Sequence, residues 1–98
     1  MIFIETVVTT WQELSNPALQ SDIQSNIKRS EAGSRLIIEV ITKQYSAKIE
    51  AWEEVYSMDI TVVELISNTG VLLSAGECES LDEMRERITL LYEMLMKE

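Results

Sequence analysis

Trp52 and the acids around it are the residues of this 98-residue chain whose types and spacing point to a task. Glu50, Glu53 and Glu54 flank the indole and Tyr56 follows, so a large aromatic sits within an acidic rim. Such a group anchors a protein partner: Trp and Tyr supply contact area, and carboxylates beside them suit Lys or Arg on the opposing surface. Catalysis has fewer candidates. The chain has no histidine, which removes Ser-His and Cys-His pairs and the usual zinc ligands. Its one cysteine, Cys78, lies between Glu77 and Glu79, whose charges raise a thiol pKa rather than activate it. The three glycines, Gly33, Gly70 and Gly76, make no phosphate-binding loop. Glu53-Glu54 and Glu77/Glu79 are simply solvated acids on this reading. We therefore expect no enzyme activity, no cofactor and no metal site.

The elements that must position Trp52 are strands. Arg35–Thr42 is rich in β-branched residues and reads as a first strand, with Lys43-Gln44 as the turn into a second that begins at Tyr45. Alternation puts Tyr45, Ala47, Ile49 and Ala51 on one face, and Ser46, Lys48, Glu50 and Trp52 on the other. A two-residue turn pairs Thr42 with Tyr45. Glu39 then lies opposite Lys48 outside, and Ile38 and Val40 lie opposite Ile49 and Ala47 inside. A third strand is expected from about Met58 to Ile66, a turn at Ser67-Asn68-Thr69-Gly70, and a fourth strand from Val71 to about Ala75, with Gly76 ending or bulging it.

Helices flank this meander. Ile4, Val7, Val8, Trp11 and Leu14 lay one stripe along a helix from Ile2 to about Leu14, although Val7, Val8, Thr9 and Thr10 weaken its intrinsic preference. Asn16-Pro17 ends it, kinks it or caps a second helix, and Leu19, Ile23 and Ile27 continue a stripe to about Lys28. Ser30–Ser34 is a loop. Ser80-Leu81-Asp82-Glu83 has capping-box spacing and opens a helix with Leu81, Met84, Ile88, Leu91, Tyr92 and Leu95 on one side, running to the carboxyl end. The expected fold is α+β: one domain with a four-stranded antiparallel meander, the N-terminal helix (single or broken) and the C-terminal helix packed on one face. The other face is left to water or a partner.

Composition narrows the partner. Seventeen acids against eight bases give a net charge of −9, which disfavours nucleic acid and favours a basic protein surface met by salt-sensitive encounter. The competing reading is that acidity only maintains solubility. No apolar run approaches the ~20 residues that span a bilayer, and Met1–Glu5 lacks a basic region of the secretory kind. With a single cysteine, a cytoplasmic location is expected. The contact surface expected from these arguments comprises Glu39, Lys48, Glu50, Trp52, Glu53, Glu54, Tyr56 and Asp59. Trp52 folded over the sheet edge, or packed beneath the turn at Val55–Ser57, is the competing placement.

Tyr45–Glu53, then Asp59–Glu64, then Thr69-Gly70, then the helix opened by Ser80-Leu81-Asp82-Glu83, resembles the TriTu family of bacterial immunity proteins. The likeness covers the second half of the chain, and the helix carrying Trp11 more loosely. It departs at Ala47, where the family has a glycine, and at Glu54–Ser57, where a glycine turn is expected. The resemblance implies a partner: an ADP-ribosyltransferase toxin domain of an Rhs protein delivered by type VI secretion, which modifies elongation factor EF-Tu. It implies a cytoplasmic 1:1 complex in which the immunity protein blocks the NAD or substrate cleft. The alternatives are an acidic secretion chaperone that holds an unfolded export segment, and an enzyme with a carboxylate pair, which would need turnover that acidic substitutions abolish.

Overall fold

Alternating apolar residues build three central strands whose inner faces are closed to water. In a computed structural model, which describes residues 2–15, 23–31 and 33–96, the order is α1 (Ile2–Ser15), β1 (Gln24–Arg29), β2 (Arg35–Ile41), β3 (Tyr45–Trp52), β4 (Ser57–Glu64), β5 (Thr69–Ser74) and α2 (Leu81–Met96). The strands form one antiparallel sheet in chain order. Leu36, Ile38 and Val40 of β2, Ala47, Ile49 and Ala51 of β3, and Met58, Ile60 and Val62 of β4 are all buried. They join Phe3, Ile4, Val7, Val8 and Trp11 of α1 and Met84, Ile88, Leu91 and Leu95 of α2 in one core. Each large aliphatic buried this way stabilises the fold by roughly 1.5–3 kcal/mol.

The β2–β3 register is the one the two-residue turn requires: Glu39 opposite Lys48, Ile38 opposite Ile49 and Val40 opposite Ala47. The Thr42 N–H donates to the Tyr45 carbonyl at 2.8 Å. The Thr42 hydroxyl accepts from the Tyr45 N–H at 3.0 Å, which steadies a Lys43-Gln44 turn made of unfavoured residues.

Among the described residues the sheet has five strands, where four were expected from the sequence. Gln24–Arg29 is β1, so the helical stripe read through Ile23 and Ile27 to Lys28 is corrected. A spacing of four places two residues on one face of a strand as well as of a helix, and therefore did not discriminate. Ile27 lies opposite Ile38, and β1 covers the edge of β2. The proposed break at Asn16-Pro17 and the Leu19 position of that stripe lie outside the described residues. The strand expected from Met58 to Ile66 is β4, which ends at Glu64, and the hairpin tip is Leu65–Asn68, with Asn68 at φ 55°. Between β4 and β5 the register shifts: Thr61 faces Leu72 while Ile60 faces Ser74, leaving Leu73 as the extra residue. Gly76, two residues past the end of β5, adopts φ 94°, a conformation that favours glycine.

Long-range groups hold the helices. The Glu53 carboxylate accepts from the backbone N–H of Phe3 at 3.1 Å and of Ile4 at 3.0 Å, so a residue from the β3–β4 turn caps α1. Tyr56 of the same turn stacks on Phe3 with ring centroids 4.8 Å apart. Trp11 meets Tyr92 of α2 edge-on at 6.2 Å. Ser80 caps α2, its Oγ accepting from the Glu83 N–H at 3.1 Å, while the Glu83 carboxylate reaches one residue beyond the cap and accepts from the Glu79 N–H at 2.5 Å. No helix among the described residues is long and apolar enough to cross a membrane.

Candidate protein-binding face

Both helices pack on the inner face of the sheet, and no described helix covers the outer one. Alternation and the ladder registers define what that face carries: Lys28 from β1, Arg35, Ile37, Glu39 and Ile41 from β2, Ser46, Lys48, Glu50 and Trp52 from β3, and Asp59, Thr61 and Val63 from β4. Five of the eight residues expected at a contact surface, namely Glu39, Lys48, Glu50, Trp52 and Asp59, are thus brought together.

Trp52 lies on this face and is half-buried. Arg35, directly opposite on β2, holds its guanidinium carbon over the ring at 5.9 Å from the centroid. The Arg35 Nε donates to a Glu50 oxygen at 2.9 Å, and its terminal nitrogen reaches the same oxygen. Glu50 is also 3.8 Å from the Lys48 ammonium, and Glu39 is 2.9 Å from that of Lys28. Glu50 faces Asp59 across β3 and β4, a like-charge pair that Arg35 and Lys48 offset. Asp59 accepts from the Gly76 N–H at 3.2 Å, which anchors the chain leaving β5.

The electrostatic character differs from the acidic rim expected around Trp52. Lys28, Arg35 and Lys48 stand against Glu39, Glu50 and Asp59, so this part of the face is charge-balanced, with Ile37, Ile41 and Val63 between the ion pairs. Ile41 is 53% exposed. A shallow depression of about 380 Å³ beside it is lined by Gln24, Asn26, Glu39, Ile41, Ser46 and Lys48, among others. The chain's acid excess lies elsewhere, in the β3–β4 turn, the approach to α2 and α2 itself.

The other three expected contact residues sit in the β3–β4 turn. Glu53 is occupied at the α1 N-terminus, and Tyr56 covers Phe3 from a positive φ of 48°. Both have structural tasks. Glu54 is exposed. Arg35 was missed by sequence reasoning, yet the register that sets Glu39 against Lys48 also sets Arg35 against Trp52. Lys28 was missed because β1 was read as helix.

Burial pushes the Cys78 thiol up from its ordinary value, Arg87 opposes this, and Glu83 adds to it. The direction matches the sequence argument, but the raising acid is Glu83 rather than Glu77 or Glu79. Arg87 donates to the carbonyls of Gly76 at 3.1 Å and Glu77 at 3.0 Å, pinning the loop that holds Cys78. At the opposite end, Arg29 beside Glu5 holds that carboxyl below its usual range and joins β1 to α1. Among the described residues no group of three or more His, Cys, Asp or Glu is placed to hold a metal. No protein-family model, curated protein or solved structure matches the chain.

Proposed function

We propose that this chain is a stoichiometric protein inhibitor: an immunity protein that binds and neutralises an ADP-ribosyltransferase toxin domain acting on EF-Tu. The resemblance of the strands and the α2 cap to the TriTu family supplies the partner. The observation that supports a binding role is the uncovered outer face, where Trp52 and Ile41 are partly open to water among paired charges. Interfaces favour this mixture, with an aromatic anchor, aliphatic neighbours and polar groups at the rim.

On this proposal the contact surface is Glu39, Lys48, Glu50, Trp52 and Asp59, extended by Arg35 and Lys28, with Glu54 at its margin. Glu53 and Tyr56 act indirectly by fixing the turn. The net charge of −9 steers a basic toxin surface into encounter, and the balanced face docks it over the NAD or substrate cleft. The chain performs no catalysis, works in the cytoplasm and needs no cofactor, nucleic acid or membrane.

The test is a pull-down of the tagged chain from cells expressing the carboxyl-terminal domain of the neighbouring Rhs gene, followed by NAD-dependent labelling of EF-Tu. Equimolar recovery with labelling suppressed is the expected result. Recovery only of an unfolded segment, with a folded and active toxin domain left unbound, would establish the secretion-chaperone alternative instead.

A further inference from the structure

The two edges of the sheet differ in kind. β1 presents Gln24–Arg29, where Lys28 and Arg29 make strand addition costly. β5 presents Thr69–Ser74 with no such guard, and positions 65–76 contain no charged residue in a chain of which 26% is charged. Val71 is 51% and Leu72 60% exposed, and Ile66 at the hairpin tip is 89% exposed. Val71 points to the helix side opposite buried Val62, yet stays open because the covered core ends at β4. A groove of about 330 Å³ adjoins it, lined in part by Tyr45, Val62, Val71 and Met94.

We propose that β5 is a dimerisation edge whose occupant is β5 of a second copy of this chain. Charge selects that occupant. A basic partner attracted by a chain of net charge −9 gains nothing from an uncharged strand, whereas two such chains can approach closely only where neither carries charge. Both edges are already extended, so pairing orders no flexible segment. A twofold axis perpendicular to the sheet pairs the strands antiparallel and keeps the helices of both copies on one side. With Val71 on that axis, Leu72 of each copy lies opposite Gly70 of the other, within the stretch of β5 before the register shift. The contact is isologous and closes at two chains, because the remaining edges are the guarded β1 strands. The outer face around Trp52 stays open in the dimer. This proposal does not depend on the identity of the toxin partner.

Sedimentation equilibrium of the free, full chain across a range of concentrations tests it, combined with hydrogen exchange at Thr69–Ser74. The expected result is a species of twice the 11.2 kDa chain mass, with β5 amides slowing in exchange as it fills. Leu72→Lys, at a side chain exposed in the monomer, is expected to keep the circular dichroism and raise the dissociation constant by about tenfold or more. Ser25→Ala on the opposite edge, which keeps Lys28 and Arg29 in place, is expected to leave the dimer intact. A monomer at every concentration, open-ended oligomers, or a dimer indifferent to Leu72→Lys would each overturn the proposal. So would β5 protection that appears only when a toxin domain is added, which would assign the edge to a foreign strand.

Discussion

The carboxylate of Glu53 caps α1 by accepting the backbone N–H of Phe3, a residue fifty positions earlier in the chain. Ile4 donates to the second oxygen of the same group. A helix rich in Val and Thr thereby receives at its N-terminus a second carboxylate beside that of its own Glu5, and this one accepts from the free backbone N–H groups. Glu53→Ala should lower unfolding stability by about 1 kcal/mol, with Glu53→Gln losing less because an amide oxygen still accepts. Urea titration reads both. Equal stability of all three proteins would show that the cap contributes nothing.

On the proposed function, Trp52→Ala should weaken binding of the toxin domain by about 2 kcal/mol or more, because central aromatic anchors dominate such interfaces. The fold should survive, since the indole lies on the uncovered face. Calorimetric titration against the isolated toxin domain decides it. Affinity unchanged in a well-folded variant removes Trp52 from the contact surface and points to the acidic side of the molecule instead.

Tyr56 combines a useful side chain with an unfavourable backbone. Its ring stacks on Phe3, while its φ of 48° is one that side chains resist. Tyr56→Ala should lose the stack and keep the strain. Tyr56→Gly should lose the same stack but regain about 1 kcal/mol of it through an unstrained backbone. Thermal unfolding of the pair measures the difference, and an alanine variant as stable as the glycine one would contradict the strain.

Cys78 should be unreactive in the folded protein. Burial raises its thiol pKa, so near neutral pH the folded state holds less thiolate than the unfolded chain does. The sign for stability follows. The folded state binds this proton more tightly, so the contribution is fully present below the unfolded thiol pKa and is lost as pH rises through the folded one. Alkylation by iodoacetamide should be slow in buffer and fast in denaturant. Rapid labelling without denaturant would show that the loop pinned by Arg87 opens readily.

The likeness between sequence reading and structure is uneven for physical reasons. Residues 35–52 were legible to the exact partner: one turn length sets Glu39 against Lys48, and side chains of period two sort the faces. The α2 cap at Ser80–Glu83 was legible because its hydrogen bonds span four residues. β1 was not, since Ile23 and Ile27 satisfy both periods and only pairing with Ile38 selects the strand.

The sequence by itself determined the α+β class, the central hairpin, the closing helix and an acidic chain without histidine. These follow from local periodicity and composition. The tertiary structure alone decided which acids are available to a partner. Glu53 and Glu54 are neighbours in the chain, yet one caps a helix begun fifty positions earlier and the other faces water. It also decided that Trp52 lies under Arg35 and that β5 is left as an uncharged edge. Contacts between distant positions depend on how the elements pack, and local spacing carries no record of that.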